Sequence, residues 1–214
     1  MLRTTPGASA PPPSSRMGLK KLASALLALA MAVSLFSAIP LTARAATNRS
    51  VTLGSSLSTN QTNIQNAINA SSSGDTVTVT GSVTDTVDTL NLNIKAGVTV
   101  NWSAQYTSSS SNAKVMIALS GSGTFNVTGS IKNAGAGNAI DSKDINVMEV
   151  KSGGSVTSNR YAIYSSAKTT VIVSGGRVSS SAPVNSSGLS FSTIRIEKGG
   201  TIAECNDGIN LSLQ

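Results

Sequence analysis

The chain has 214 residues, of which 39% are hydrophobic, 3% aromatic and 12% charged, and its formal net charge is +7. It contains no histidine and one cysteine, which excludes histidine metal sites, nucleophiles activated by histidine, intrachain disulfides and multi-thiolate zinc sites. Charged residues stand at roughly half of the ~25% usual in soluble domains, so a helical bundle held by salt bridges is not expected.

The first 45 residues have the pattern of a secretory signal peptide. The basic pair Lys20-Lys21 precedes the mainly apolar run Leu22–Ile39, and Ala43-Arg44-Ala45 places small residues at both positions that determine cleavage. Residues 1–16 can be a spurious upstream extension. An uncleaved anchor is the alternative, because the apolar run is near the lower length limit of a membrane-spanning helix. We expect a secreted, extracellular or cell-surface protein whose only membrane contact is the signal peptide.

The positive charge of the chain lies mostly in this leader. Five of the 16 basic residues precede residue 46 and all 9 acidic residues follow it, so segment 46–214 has a net charge of only +2. No run of lysines or arginines occurs in that segment, whereas nucleic-acid-binding domains carry clustered basic residues. The sequence therefore predicts no nucleic-acid partner.

Residues 46–76 are predicted to form an N-terminal cap that contains a short amphipathic helix at about residues 60–70. Ile64 and Ile68 share one face of this helix, and residues 58–60 offer Ser, Thr and Asn as N-cap residues. A helix at this point can cover the exposed first edge of the fold that follows.

Residues 77–214 contain a repeat of 23 residues, visible as four series in phase. The first series is Val79, Trp102, Phe125, Met148, Val171 and Ile194. The second is Gly81, Ala104, Val127, Val150, Val173 and Ile196. The third is Ser130, Gly153, Gly176 and Gly199, and the fourth is Ile140, Ile163, Ser186 and Ile209, with Val184 as the expected substitute for Ser186. A repeat of fixed length indicates that successive units stack on one another.

Each later repeat alternates apolar and polar residues, and glycines follow, as in Val171–Val178. Alternation with a period of two predicts strands with one buried face, and glycine between them marks a sharp bend. The leucine-rich-repeat pattern is missing and the period is too short for a propeller blade. The sequence therefore predicts an all-β fold, a β-solenoid of about six 23-residue coils with a short N-terminal capping helix.

The predicted solenoid stops in the middle of an alternating segment, Ile209–Gln214. Solenoids need terminal caps, because an open strand edge invites pairing with another chain. We therefore expect the C-terminal end to be truncated or uncapped. The chain would then belong to a longer protein or make an end-to-end contact with a partner through this open edge.

The segment Ile64–Val79 resembles the opening of pectin-lyase-like proteins, with Gly74-Asp75 at the turn between helix and first strand. Segments such as Tyr161–Ser165 and Val171–Val178 resemble the repeats of bacterial secreted and cell-surface β-helix proteins. The resemblance covers about residues 60–214. It implies a right-handed parallel β-helix with three sheets per coil, and it implies no particular activity, because this fold supports lyases, hydrolases, adhesins and scaffolds.

Catalytic chemistry has little support in the sequence. The adjacent Asp-Asp pair and the Gly-His-Gly turn that the resemblance would bring to a hydrolase are both missing. The nearest charged group is Asp141, Lys143 and Asp144, with Arg160 one coil later. No second coil reinforces these acids, and we interpret Asp141–Asp144 as a solvated turn. Enzymatic activity stays open, with no catalytic residue, cofactor or metal site assigned.

Tyr161 and Tyr164 are the candidate carbohydrate-binding residues, since sugars stack on exposed aromatic rings. Tyr164 follows the inward Ile163 and should point outward, whereas Tyr161 reaches the surface only if a turn intervenes. Trp102 belongs to an apolar series and is predicted to fill the core. We therefore expect a non-catalytic structural or adhesive protein with a glycan or cell-surface polymer as partner. A carbohydrate-binding or polysaccharide-degrading domain whose active coils are missing or unrecognisable is the alternative.

Overall fold

The computed structural model describes residues 44–165, 169–180, 184–186, 193–203 and 209–211. The chain divides after residue 45 into two units, and the second unit is the subject below. Its elements are β1 (Asn48–Leu53), α1 (Leu57–Ala70), β2 (Thr76–Val83), β3 (Leu90–Asn93), β4 (Thr99–Trp102), β5 (Gln105–Ser108), β6 (Ile117–Ser120), β7 (Thr124–Val127), β8 (Ser130–Asn133), β9 (Ile140–Ser142), β10 (Val147–Lys151), β11 (Ser155–Ser158), β12 (Ile163–Ser165), β13 (Thr170–Ser174), β14 (Arg177–Ser180), β15 (Val184–Ser186), β16 (Thr193–Ile196), β17 (Thr201–Ala203) and β18 (Ile209–Leu211).

The strands form a parallel β-solenoid, which confirms the predicted fold class. Sheet A consists of β1, β2, β4, β7, β10, β13 and β16, and sheet B of the end of β2 followed by β5, β8, β11, β14 and β17. Sheet C consists of β3, β6, β9, β12, β15 and β18. Each full coil contributes one strand to each sheet, and β2 passes through both sheet A and sheet B.

Between β2 and β16, the register of sheet A departs from the predicted 23-residue step at one place, whereas the steps in sheets B and C vary from 21 to 27 residues. Thr99 pairs with Thr124, 25 positions later, so Val127 and not Phe125 lies beside Trp102. The prediction of one column containing both Trp102 and Phe125 is wrong. The loop 109–116 between β5 and β6 is two residues longer than the corresponding loop 134–139. An insertion of two residues keeps every side chain on the same face of its strand.

The bend between sheets A and B is lined by stacked glycines. Because Ser130 pairs with Ser155 and Ser155 with Arg177, the residues before them, Gly129, Gly154 and Gly176, form one column. A Cβ atom on Gly154 would lie 2.2 Å from the carbonyl oxygen of Val127. The sequence analysis correctly predicted glycine at this bend. The column runs through Gly154, however, which is one residue after the Gly153 of the predicted series.

The interior is a continuous apolar column. Trp102, Tyr106 and Phe125 are fully buried, which confirms the core position predicted for Trp102. The Trp102 ring meets the Tyr106 ring edge to face, with centroids 5.6 Å apart, and lies 6.1 Å from the Phe125 ring. Ile140, Ile163 and Val184 occupy consecutive strands of sheet C, so Val184 replaces Ser186 as expected.

The predicted capping helix is present as α1, and it begins at Leu57, three residues before the predicted start. Ser56 is the N-cap residue, since its hydroxyl accepts the Thr59 backbone N–H at 3.4 Å. Asn60 is buried inside the helix, where its amide bonds both the N–H and the carbonyl of Gly54 at 2.8 Å. Asn60 therefore anchors the preceding loop and does not cap the helix.

The predicted signal peptide lies outside the described residues, apart from its last two, and so do residues 212–214 of the predicted open end. No helix in the described part of the chain has the length and apolar character needed to cross a membrane.

Candidate functional site

Tyr161 and Tyr164 lie at the beginning of β12, on the outer side of sheet C. Ile163 and Ser165 point into the core, and Tyr164 between them is half-buried on the outside, as the alternation predicts. In the register of sheet C, Tyr164 pairs with Asp141 of β9. Tyr161 stands just before the strand, where a turn brings its half-buried ring to the same side.

Buried polar side chains fix that turn. The Ser158 hydroxyl accepts the backbone N–H of Arg160 at 2.9 Å and donates to the Gly137 carbonyl at 3.0 Å. The Tyr161 carbonyl accepts the backbone N–H of Ala139 at 3.0 Å. Ser158 ends a strand of sheet B, and Asn133 occupies the equivalent position one coil earlier. The coil below therefore holds the turn that carries Arg160 and Tyr161.

The two tyrosine rings contact each other. Their centroids are 5.8 Å apart with planes inclined by 34°, and the Arg160 guanidinium carbon lies 5.4 Å from the Tyr161 centroid. This separation is that of an aromatic pair in contact, so no sugar ring fits between the tyrosines. The two tyrosines instead form one continuous aromatic surface on which a sugar can lie.

Asp141 lies beside this surface and not in a solvated turn, which corrects the prediction for that residue. It is half-buried on β9, and its carboxylate accepts a hydrogen bond from the Asn138 amide at 2.6 Å. Burial raises the pKa of the Asp141 carboxyl, while the Asn138 hydrogen bond and the positive charge of Arg160 act against this rise. Lys143 and Asp144 are exposed in a bend, as predicted for the rest of that segment.

We define the tyrosine surface as Asn138, Asp141, Arg160, Tyr161 and Tyr164. It combines an aromatic platform with a carboxylate and a guanidinium, which are groups that bind sugar hydroxyls, while the Asn138 amide is buried and holds the Asp141 carboxylate. Asn138 was missed by the sequence analysis, because it is three residues from Asp141 in a loop without any repeat pattern. The described residues include no group of three or more His, Cys, Asp or Glu side chains placed to hold a metal ion.

A second polar cleft lies where α1 meets the first edge of sheet C. It has a volume of about 380 Å³ and is lined mainly by amides, among them Gln61, Gln65, Asn91 and Asn93. The sequence analysis did not identify it, because the cleft depends on the position of α1 against β3. Asn91 and Tyr164 share the outer face of sheet C, three strand steps apart.

Comparison with known proteins adds no relative, because no family model, no curated protein and no solved structure matches the chain.

Proposed function

We propose that this protein is a secreted or cell-surface β-helix of bacterial origin with a structural or adhesive role and no catalytic activity. The observation that carries the proposal is the uninterrupted parallel register of sheet A from β1 to β16. Coils stacked in this way form a stiff support, and their outward side chains recur at the strand spacing of ~4.8 Å. Such a repeating polar surface is suited to contact with an extended polymer.

The pectin-lyase-like relationship and the right-handed coil belong to this proposal. Support comes from the segment that carries the resemblance, in which α1 leads through Gly74 and Asp75 into β2. Gly74 has φ +89°, which favours glycine, and the buried Asp75 carboxylate accepts the backbone N–H groups of Thr47 at 2.7 Å and Ser72 at 2.8 Å. This hydrogen-bonded turn orients the first strand of the solenoid on the cap.

Carbohydrate binding at the tyrosine surface is the second candidate function. The contact between the Tyr161 and Tyr164 rings favours it, because a pair of rings offers a larger platform than one ring. The Asp141 carboxylate and the Arg160 guanidinium flank this platform and can accept and donate hydrogen bonds to sugar hydroxyls. The register of sheet C holds Tyr164 next to Asp141, so the platform and the carboxylate keep a fixed relation.

A glycan array probed with the full chain tests binding, and incubation with uronic-acid polymers tests turnover. We expect binding without product release. Tyr164→Ala should abolish binding, Tyr164→Phe should retain the stacking part of it, and Thr157→Ala on the outside of sheet B is the matched control. Turnover that is lost on Asp141→Ala or Arg160→Ala would contradict the non-catalytic role. Equal binding by Tyr164→Ala and the unchanged protein would exclude the tyrosine surface as the binding site.

Localisation has its own test. The N-terminal sequence of the protein recovered from culture medium or from the cell surface should begin at Ala46. Recovery of the whole chain only from the cell interior would contradict secretion.

A further inference from the structure

The outer side of sheet A changes character along the stack, and its first four strands carry an uncharged array. Outward side chains of β1, β2, β4 and β7, including the residues immediately after β4 and β7, occupy twelve positions that we call the threonine face. They are Asn48, Ser50, Thr52, Thr76, Thr78, Thr80, Thr99, Asn101, Ser103, Thr124, Asn126 and Thr128. All twelve are hydroxyl or amide residues, and seven are threonines.

The strand pairing places these side chains in three rows of four. Thr76 pairs with Thr99, and Thr99 with Thr124, while Thr78 pairs with Asn101 in the next row. The intervening residues of β2, β4 and β7 are fully buried, so the array faces outward. Neighbours within a row are ~4.8 Å apart, and neighbours along a strand are about 6.6 Å apart.

Side-chain hydrogen bonds along the rows hold the array in order. The hydroxyl oxygens of Thr52 and Thr80 are 3.2 Å apart. Those of Ser103 and Thr128 are 2.7 Å apart. The Asn126 amide donates to the Asn101 side-chain oxygen at 2.9 Å, which fixes the middle row. These contacts reduce the rotamer freedom that a bound surface would otherwise have to remove.

One acceptor in the middle row has no partner. Asn126 is only 6% exposed although it lies on the outward side, and its side-chain oxygen accepts no hydrogen bond within the described part of the chain. This oxygen is itself inaccessible to solvent, so the order of the middle row rests on the Asn126–Asn101 hydrogen bond and not on an acceptor that a ligand could reach.

On the outer side of the described part of sheet A, charged side chains first appear on β10. Glu149 and Lys151 of β10 form an ion pair of 3.3 Å, and Arg195 of β16 pairs with Glu197 at 2.6 Å. Disturbing the hydration shell of a charged group costs much free energy. A hydroxyl or amide group can replace one hydrogen bond to water by another with little change in free energy. The threonine face is thus free of charged side chains over four adjacent strands, and further along the sheet only the outward residues of β13, among the fully described strands, are also uncharged.

A ligand that fits this face must be uncharged, hydrogen-bonding and periodic in two directions. We propose that the threonine face binds the surface of ice. Threonine hydroxyls and asparagine amides can occupy hydrogen-bonding positions of a water lattice, and each threonine also brings a methyl group that needs no hydrogen bond. A crystalline polysaccharide is the competing periodic ligand, but the aromatic rings that stack on sugars lie on sheet C and not on this face.

Slow growth of ice in a solution of the full chain tests the proposal, with the protein measured in the ice and in the remaining liquid. The unchanged protein should enter the ice, and Thr78→Lys, which places a charge in the middle row, should lose most of this incorporation. Ala118→Lys, at a half-buried outward position of sheet C beside Asp141, is the matched control and should behave as the unchanged protein does.

Melting curves of all three proteins establish that they are folded to the same extent. Exclusion of the unchanged protein from ice would overturn the proposal, and so would equal incorporation of Thr78→Lys. Adsorption to microcrystalline cellulose or chitin without incorporation into ice would also overturn it and would assign the face to a polysaccharide surface. The test contains no glycan and measures only incorporation into ice, so its outcome does not depend on glycan binding at the tyrosine surface, beside which the control substitution lies.

Discussion

The side chain of Gln65 bonds to the backbone of Asn93 as a neighbouring strand would. Its amide oxygen accepts the Asn93 N–H at 2.9 Å, and its amide nitrogen donates to the Asn93 carbonyl at 3.0 Å. One turn earlier on α1, Gln61 accepts the backbone N–H of Asn91 at 2.8 Å. Two glutamines thus occupy the backbone groups of β3, the first strand of sheet C, which would otherwise be an open edge.

Replacing Gln65 with Ala should lower the free energy of unfolding by about 1 kcal/mol, because the Asn93 N–H and carbonyl lose their partner while water retains partial access. Asn66→Ala, at the next and exposed position of the same helix, is the control and should change stability by less than about 0.5 kcal/mol. Urea unfolding of the full chain measures both. Equal stability of the two variants would show that the glutamine bonds do not secure this edge.

The sequence predicted α1 and its apolar face, but it could not predict the role of the glutamines. Ile64 and Ile68 are recognisable because apolar residues at i and i+4 share a helix face, and both are fully buried. Gln61 and Gln65 are polar at exposed or partly exposed helix positions, where such residues are ordinary. Their pairing with β3 depends on the distance between helix and sheet, which no local pattern encodes.

Val173 tests the apolar column that runs through the coils. It is fully buried, and it pairs with Val150 below and Ile196 above. Val173→Asp should cost about 3–5 kcal/mol, because it places a charge between the apolar side chains of Val150 and Ile196.

The control for Val173→Asp is Thr157→Asp, which places the same carboxylate on the outside of sheet B beside Lys132. Ser174 is unsuitable as a control, although it points outward, because its hydroxyl donates to the Glu149 carboxylate at 2.5 Å. A new carboxylate there would lose this bond and repel Glu149. Equal melting temperatures for Val173→Asp and Thr157→Asp would contradict the inward orientation of Val173.

Gly154 tests the bend between sheets A and B. An alanine Cβ at this position would lie 2.2 Å from the Val127 carbonyl oxygen, a backbone atom that cannot move without shifting the coil below. We expect Gly154→Ala to lower stability by at least about 2 kcal/mol. At Gly54 the nearest atom to such a Cβ is 3.9 Å away, so Gly54→Ala should be close to neutral. Thermal unfolding compares the two, and a tolerated Gly154→Ala would rule out the close approach of the coils.

Asp141 gives the stability of the fold a dependence on pH. Because burial raises its pKa above the ordinary 3.8, the folded chain binds this proton more tightly than the unfolded chain does. The ionised carboxyl therefore lowers stability at neutral pH, and the loss is recovered as the pH falls through the raised pKa towards 3.8.

We expect Asp141→Asn to melt at a higher temperature than the unchanged protein at pH 7, since it removes the charge and keeps an acceptor for the Asn138 amide. This difference should shrink as the pH is lowered through the raised pKa of Asp141, where the carboxyl takes up its proton. Asp144→Asn, at an exposed position, should show no such change over the same pH range. A lower melting temperature for Asp141→Asn at pH 7 would reverse the assigned sign.

The sequence predicted which side chains point inward more reliably than it predicted which residues pair between neighbouring coils. Trp102 and Phe125 are both inward, as predicted, because an insertion of two residues preserves parity. They lie in different columns, because the two residues added in loop 109–116 move the next coil along by one pair. Loops accept such insertions with little loss of stability. A search that assumes a constant repeat length of 23 residues therefore does not detect them.

The same limits apply to the tyrosine surface. The alternation around Ile163 was sufficient to place Tyr164 outside. The contact between the Tyr161 and Tyr164 rings was not predictable, since it depends on the turn that Ser158 holds from inside the coil. Asp141 was misassigned for a related reason, because the strand β9 has only three residues and resembles a turn in sequence.

Cross-linking of neighbouring coils tests the central claim most directly, in a Cys205→Ser background that removes the only native thiol. The register pairs Thr99 with Thr124, which gives a Cα separation of ~4.8 Å, within the range that a disulfide spans. Thr99→Cys combined with Thr124→Cys should therefore oxidise readily to an intrachain disulfide, and Thr99→Cys combined with Ser122→Cys, at the 23-residue step, should not. Efficient cross-linking of the second pair, or of neither pair, would contradict the stacked register on which the solenoid and its surfaces depend.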